Sequence, residues 1–141
     1  MTDPLLVTRK LALMREHLAR LRRRRPDTVD QLRADEDRLD ALSMSVLVVV
    51  QEAIDLAVHI ASDEGGGVPS TYRAGFELLA SRGLVTADLA SRLVAAARLR
   101  NRIAHGYASV DVELLWRELP DGITAFEELA VAVAAFAAQA P

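Results

Sequence analysis

Apolar residues recur at intervals of three and four along most of the chain, which is the spacing of one face of an α-helix. The first such pattern follows Asp3-Pro4, an N-cap with proline at the first helical position, and runs to about Arg24. Pro26 then predicts the end of this helix. The N-terminal part of the chain is therefore predicted to form one amphipathic helix.

The second pattern is the longest one in the chain. It starts near Asp27 or Thr28 and continues to about Asp63, with a bend predicted near Ala34. Its second part, from Leu42 to Ala61, is apolar almost all round the helix. A helix of this kind must be buried on more than one side.

Four further helices are predicted from local signals at their ends. Gly83 has the character of a C′ glycine, Thr86 of an N-cap, and Pro120 of a helix terminator. The predicted ranges are about 71–82, 86–105, 111–119, and from Asp121 or Thr124 to about 139. The sequence thus predicts a single all-α domain over residues 1–141, an up-and-down type bundle of five or six helices.

Composition excludes several classes of protein. The 141 residues include no cysteine and only three histidines, which excludes a disulfide scaffold, a cysteine zinc site and a thiol nucleophile, and we expect no metal and no cofactor. The longest unbroken apolar run, Leu129 to Ala138, is half of what a membrane span needs. We therefore expect a soluble, cytoplasmic protein with no membrane partner.

Charge is unevenly distributed, although the net charge is only −3. Residues 1–25 hold eight basic and two acidic groups, and residues 91–107 hold four arginines and no acid. These two basic islands could converge into a surface that binds a polyanion. The alternative for Arg22 to Arg25 is a solvated helix end, where cations complement the carbonyl groups. His17, among basic residues, is expected to be solvated.

The second island surrounds a histidine at a predicted helix end, between Arg98 and Tyr107. A histidine beside free C-terminal carbonyls is stabilised in its charged form and can exchange a proton near neutral pH. Arginine binds phosphate through its planar fork and stays charged. These residue types suit cleavage of a phosphodiester through its own 2′-hydroxyl, a reaction that needs no metal.

Arg100-Asn101-Arg102-Ile103-Ala104-His105 resembles the Arg-x4-His signature of the HEPN superfamily. The continuation Gly106-Tyr107 extends it to Arg-x4-His-x-Tyr, which is similar to the HepT toxins of HepT–MntA toxin–antitoxin systems. Other segments agree in order and spacing, so that the resemblance covers nearly the whole chain. They are residues 52–57, 69–73, 76–79 and 83–85, and Phe126.

The resemblance implies a HEPN-like helical homodimer that acts as a metal-independent endoribonuclease. It implies a catalytic pair, Arg100 and His105, with Asn101 in support. It also implies an MntA-like nucleotidyltransferase antitoxin that adds AMP to Tyr107. Arg98 and Arg102 are expected to be solvated or ion-paired, or to contact the RNA backbone in a supporting role.

Glu52, Asp55 and His59 form a polar stripe on the apolar helix. One helix supplies too few ligands for a metal, so we expect this stripe to pair with an arginine of residues 91–107. If that partner is Arg100 or His105, Asp55 orients the site as a supporting residue.

A different class of function also fits the sequence. A non-enzymatic helical module that only holds a nucleotidyltransferase or a nucleotide would use the same arginines and histidine as an anion site. Expression of the chain alone distinguishes the two: growth arrest would favour the enzyme. Trp116 is expected in the core or an interface and not as a platform for a base.

Overall fold

The structure is a computed structural model that describes residues 3–63, 68–104 and 111–139, apart from the side chains of Arg102 and Ala104. All regular elements in these ranges are α-helices, which confirms the all-α fold class. The helices are α1 (Pro4–Arg24), α2 (Val29–Arg33), α3 (Glu36–Asp63), α4 (Tyr72–Ser81), α5 (Ala87–Ala104) and α6 (Val112–Gln139).

Capping side chains set the boundaries of the first three helices. Asp3 begins α1, because its carboxylate accepts the backbone N–H of Leu5 at 3.0 Å. The bend predicted near Ala34 is a break between α2 and α3. There the carboxylate of Asp35 accepts the backbone N–H of Arg38 at 3.0 Å and so starts a new helix.

The central helix of the fold is α3, which contacts each of the other five helices. Its residues Val46, Val50, Leu56 and Ile60 are at most 2% exposed. By length and composition alone α3 could cross a membrane, and it is the one helix in the described ranges that could. Its apolar surface is the surface on which the other helices pack, as the all-round apolar pattern predicts.

The turn between α4 and α5 brings α5 back across the bundle. Gly83 ends α4 with a φ of +74°, a conformation that favours glycine, which confirms its prediction as the C′ residue. Its N–H donates to the carbonyl of Ala80 and the next N–H, of Leu84, donates to Leu79, both at 3.0 Å. The hydroxyl of Thr86 then caps α5 by accepting a backbone N–H at 3.0 Å.

Helix α6 corrects one prediction. It runs without interruption from Val112 to Gln139, so the prediction of two helices separated at Pro120 is wrong. A proline inside a helix removes the N–H that would donate to the carbonyl four residues earlier, which here is that of Trp116. This carbonyl instead accepts the Nε–H of Arg25 at 3.0 Å. A donor from Arg25, the residue that follows α1, thus replaces the missing backbone bond within α6.

His17 corrects a second prediction, because it is buried between α1 and α3 and is not solvated. It is 8% exposed, and its Nδ1 lies 2.9 Å from the hydroxyl oxygen of Ser45. It shares the buried face of α1 with Met14 and Leu21, which lie three and four residues away. Burial lowers the pKa of His17, and the positive charge of Arg20 lowers it further.

Candidate active site at the end of α5

The second half of α5 places Arg100 at the edge of the core. Leu93 and Ile103 are fully buried, whereas Arg98 and Asn101 are exposed and Arg100 is half-buried. Arg100 follows Leu93 by seven residues, nearly two helical turns, and therefore leaves the helix in almost the same direction as that core residue. Its side chain is consequently held at the boundary between the core and solvent.

The guanidinium of Arg100 makes no ion pair or hydrogen bond with any residue in the described ranges. Several other arginines of the chain are paired with acids, for example Arg92 with Glu128 and Arg22 with Glu127. A half-buried cation without a carboxylate partner is a favourable site for an anion from outside, and a guanidinium matches the geometry of phosphate.

His105 and Tyr107 lie outside the described residues, as does the side chain of Arg102. His105 follows in the sequence directly after Ala104, the last residue of α5. On the other side of the segment, Asp111 caps α6 by accepting the N–H of Leu114 at 3.1 Å. The sequence that carries the histidine and tyrosine is therefore joined at both ends to well-packed helices.

The polar stripe on α3 has different partners from those expected. Lys10 of α1 donates to Glu52 and to Asp55, both at 3.1 Å, and Gln51 donates to Asp55 at 2.8 Å. The predicted partner was an arginine of residues 91–107. Lys10 takes that place because α1 and α3 pack along their length.

The charge on Lys10 is stabilised by this arrangement. Partial burial acts to lower its pKa, but the hydrogen bonds and negative charges of Glu52 and Asp55 outweigh that effect, and the pKa is raised. The third residue of the stripe, His59, lies 3.3 Å from a carboxylate oxygen of Asp63 on its own helix. The described contacts of the stripe thus hold α1 on α3, and a role of Asp55 in orienting the site stays a prediction.

The first basic island is partly used within the fold. Arg22 pairs with Glu127 of α6; this hydrogen bond raises the pKa of Arg22 and lowers that of Glu127. The guanidinium of Arg25 lies over the ring of Trp116, 4.2 Å from its centroid. Arg23 remains exposed. The end of α1 is therefore neither a purely solvated terminus nor a wholly free cationic surface, and Trp116 is an interhelical contact, as expected.

The packing of α5 on α6 brings together two arginines that sequence reasoning did not connect. Arg98 and Arg117 line one groove of about 650 Å³ between the two helices. They are 19 positions apart and on different helices, so that no spacing in the sequence indicated their proximity. The basic composition of residues 91–107 included Arg98 but gave no indication of Arg117.

A model of the ribonuclease HepT-like family matches residues 14–133. The chain belongs to this HepT-like family. The mRNA nuclease HepT of Shewanella oneidensis is 24% identical over 123 residues, which cover 87% of this chain and 92% of that protein. The tRNA nuclease HepT of Aphanizomenon flos-aquae is 25% identical over 109 residues, which cover 77% of this chain and 74% of that protein.

Solved structures show the same HepT-like fold. The tri-AMPylated HEPN toxin of Shewanella oneidensis in complex with an MNT antitoxin superposes with a TM-score of 0.83 at 24% identity, over 96% of this chain and 99% of that one. A toxin–antitoxin structure with AMP-PNP superposes with a TM-score of 0.81 at 22% identity, over 94% and 99%. The family match includes the whole segment from Arg100 to Tyr107.

Proposed function

We propose that this HepT-like chain is the toxin of a toxin–antitoxin pair, a cytoplasmic endoribonuclease that cleaves RNA without a metal. The observation that carries the proposal is the half-buried guanidinium of Arg100, which has no partner among the described residues and precedes His105 in a family of ribonucleases. Two relatives are named as an mRNA nuclease and a tRNA nuclease. RNA is therefore the substrate that we assign.

The reaction divides between two side chains. His105 accepts the proton of the 2′-hydroxyl or donates one to the leaving oxygen, and Arg100 stabilises the negative charge that develops on the phosphate. The 2′-oxygen forms a bond to phosphorus while the bond to the 5′-oxygen breaks. The products are a cyclic phosphate and a free 5′-hydroxyl. Asn101 and Arg102 act in support, at positions next to Arg100.

The catalytic groove requires two copies of the chain. On one helix, positions five apart differ by about 140° in direction and about 7.5 Å in height, so that Arg100 and His105 do not face each other within a helix. A homodimer with a two-fold axis near the end of α5 would bring both pairs to one groove. We therefore propose that the active form is a homodimer.

The antitoxin that we propose is an MntA-like nucleotidyltransferase that adds AMP to Tyr107. Each AMP adds bulk and negative charge close in sequence to Arg100 and His105, and so opposes the binding of an RNA phosphate. The tri-AMPylated relative that was solved with an MNT antitoxin supports this proposal. Mass spectrometry of the chain after co-expression with such an enzyme should find the added mass on Tyr107, and Tyr107→Phe should abolish it.

The test of the catalytic assignment compares RNA cleavage by wild type, Arg100→Ala and His105→Ala, with EDTA present. We expect each variant to lose activity by about 100-fold or more, since it removes either the proton transfer or the charge stabilisation. Arg15→Ala is the matched control, because Arg15 is exposed on α1 and has no ion pair among the described residues. Equal activity in all four proteins would eliminate the assignment.

Toxicity separates the enzyme from the non-enzymatic alternative. A wild-type chain that arrests growth when expressed alone, while His105→Ala does not, supports the ribonuclease. If the chain binds RNA or a nucleotide but does not cleave RNA at any protein concentration, the ribonuclease proposal is wrong and the non-enzymatic binding module is supported.

A further inference from the structure

We infer that the groove between α5 and α6 binds the phosphate backbone of the RNA substrate, beyond the scissile bond, through Arg98 and Arg117. This inference rests on the proposed ribonuclease function and adds a binding subsite to it. The groove has a volume of about 650 Å³ and lies on the solvent side of α5. Both arginines are exposed, so that their guanidinium groups are available to a ligand.

The charges of the groove differ between its two ends. At one end Arg92 forms ion pairs with Glu128 and, at 3.7 Å, with Asp88. At the other end Arg98 and Arg117 have no ion pair or hydrogen bond within the described residues. The paired arginine stabilises the contact between α5 and α6, whereas the two unpaired ones leave positive charge that a polyanion can neutralise.

Acidic side chains also line the groove but do not cancel this charge by direct pairing. Asp121 acts on Arg92, where its negative charge contributes to the raised pKa of that arginine after the larger effect of the hydrogen bond that Arg92 donates to Glu128. Glu118 is already engaged in an interaction of its own. The groove lining thus holds three arginines and two carboxylates, and Arg98 and Arg117 are the arginines of this lining without an ion pair in the described residues.

Small residues form much of the bottom of the groove between α5 and α6. A Cβ atom on Gly122 would lie 3.3 Å from a methyl carbon of Leu99 and 3.6 Å from the Cβ of Ala96, so that a larger residue here would require the Leu99 side chain to shift by a few tenths of an ångström. Ala95 and Ala96 of α5 also line the groove. Between the two arginines the groove is lined by these small residues and by the side chain of Leu99.

The position of the groove on α5 favours RNA over an acidic peptide. Arg98 comes two residues before Arg100 on α5, about 3 Å away along the axis and on a different side of the helix. A strand whose reacting phosphate lies at Arg100 therefore reaches Arg98 with a phosphate further along its backbone, on another side of α5. Guanidinium contacts of this type hold the backbone without selecting a base sequence.

The experiment measures RNA binding apart from cleavage. Full-length protein carrying His105→Ala is titrated into a short fluorescent single-stranded RNA at a series of salt concentrations, with and without the double change Arg98→Gln and Arg117→Gln. We expect binding to RNA to weaken about tenfold. We also expect the slope of log K against log salt concentration to become shallower by about 1.4, since each lost phosphate contact to a single strand removes about 0.7. Replacement of both arginines by lysine should restore part of the affinity, because the charge returns without the planar fork.

The matched control is Arg9→Gln with Arg15→Gln, which removes the same charge from an exposed part of α1. This control should change the affinity for RNA by no more than about twofold. With His105 restored, the groove variant should raise KM more than it lowers kcat.

Two outcomes overturn the inference: an unchanged affinity and salt dependence of the groove variant, or a loss of binding to an acidic peptide without a loss of binding to RNA. If the wild type binds RNA through the groove but does not cleave it, the ribonuclease proposal fails and the groove stands. If it cleaves RNA and the groove variant is unaffected, only the groove fails.

Discussion

The guanidinium of Arg25 lies 4.2 Å from the ring centroid of Trp116, and its Nε–H donates to the carbonyl oxygen of the same residue at 3.0 Å. The indole N–H of Trp116 in turn donates to the carbonyl of Pro26 at 2.9 Å. These three contacts join the end of α1 to the first half of α6. Since α6 begins directly after the segment that carries His105 and Tyr107, they also fix the helix that follows the candidate site.

Arg25→Ala should lower the free energy of unfolding by about 2 kcal/mol. The change removes a cation–π contact worth about 0.5–1 kcal/mol and leaves a backbone carbonyl without its donor, which costs about 1–3 kcal/mol when the group is buried. Urea denaturation followed by circular dichroism measures the difference. Arg23→Ala, at an exposed neighbouring position, should stay within about 0.5 kcal/mol of wild type. Equal losses in the two variants would show that Arg25 contributes only its charge.

Pro120→Ala tests why α6 passes through a proline. Alanine supplies a backbone N–H that can donate to the carbonyl of Trp116, so that this carbonyl no longer depends on Arg25. Arg25→Ala should therefore cost about 1 kcal/mol less in the Pro120→Ala protein than in wild type. The double-mutant cycle needs four urea titrations, and strictly additive effects would refute the replacement of one donor by the other.

Lys10→Met should destabilise the protein by about 1–2 kcal/mol, because Glu52 and Asp55 then lose their shared cation while they remain partly buried. Arg9→Met, at the exposed neighbouring position, is the control and should have little effect on the free energy of unfolding.

Asp55→Asn tests whether Asp55 orients the active site. Cleavage that falls at a temperature where this variant is fully folded would support an orienting role for Asp55, and unchanged cleavage would remove it.

Helix ends in this chain could be predicted where the signal is local. Asp3, Thr86 and Gly83 each act on backbone groups within four residues of themselves, and the structure has a helix boundary at each of them. Pro120 was misleading because the compensating donor belongs to Arg25, 95 positions away in the sequence. A proline predicts the loss of a backbone bond and does not reveal whether a distant side chain replaces it.

The same distinction applies to the candidate site. That Arg100 lies near the end of a helix follows from the periodicity of α5, but its half-buried position depends on how α5 packs in the bundle. The partner of Asp55 could not be predicted, since Lys10 is brought to it by the packing of α1 on α3. The proximity of Arg98 and Arg117 likewise arises only from the packing of α5 on α6.

The burial of His17 predicts a pH dependence of stability. Burial first, and the charge of Arg20 second, hold the pKa of His17 below its ordinary value of 6.5, so that the folded protein keeps this imidazole neutral where the unfolded chain takes up a proton. The unfolded state therefore binds more protons in the window from 6.5 down to the lowered pKa. Stability from this residue is fully present above 6.5 and falls as the pH decreases through that window.

The measurement is the free energy of unfolding of wild type and His17→Gln, by urea titration, between about pH 7.5 and about pH 5.5. His59, His105 and the carboxylates contribute to both proteins, so that the difference between them isolates His17. That difference should shrink as the pH is lowered, because only wild type loses stability when its unfolded chain protonates at position 17. A difference that stays constant would mean that folding does not change the pKa of His17, and one that grows toward low pH would mean that the contact with Ser45 is made by an imidazolium.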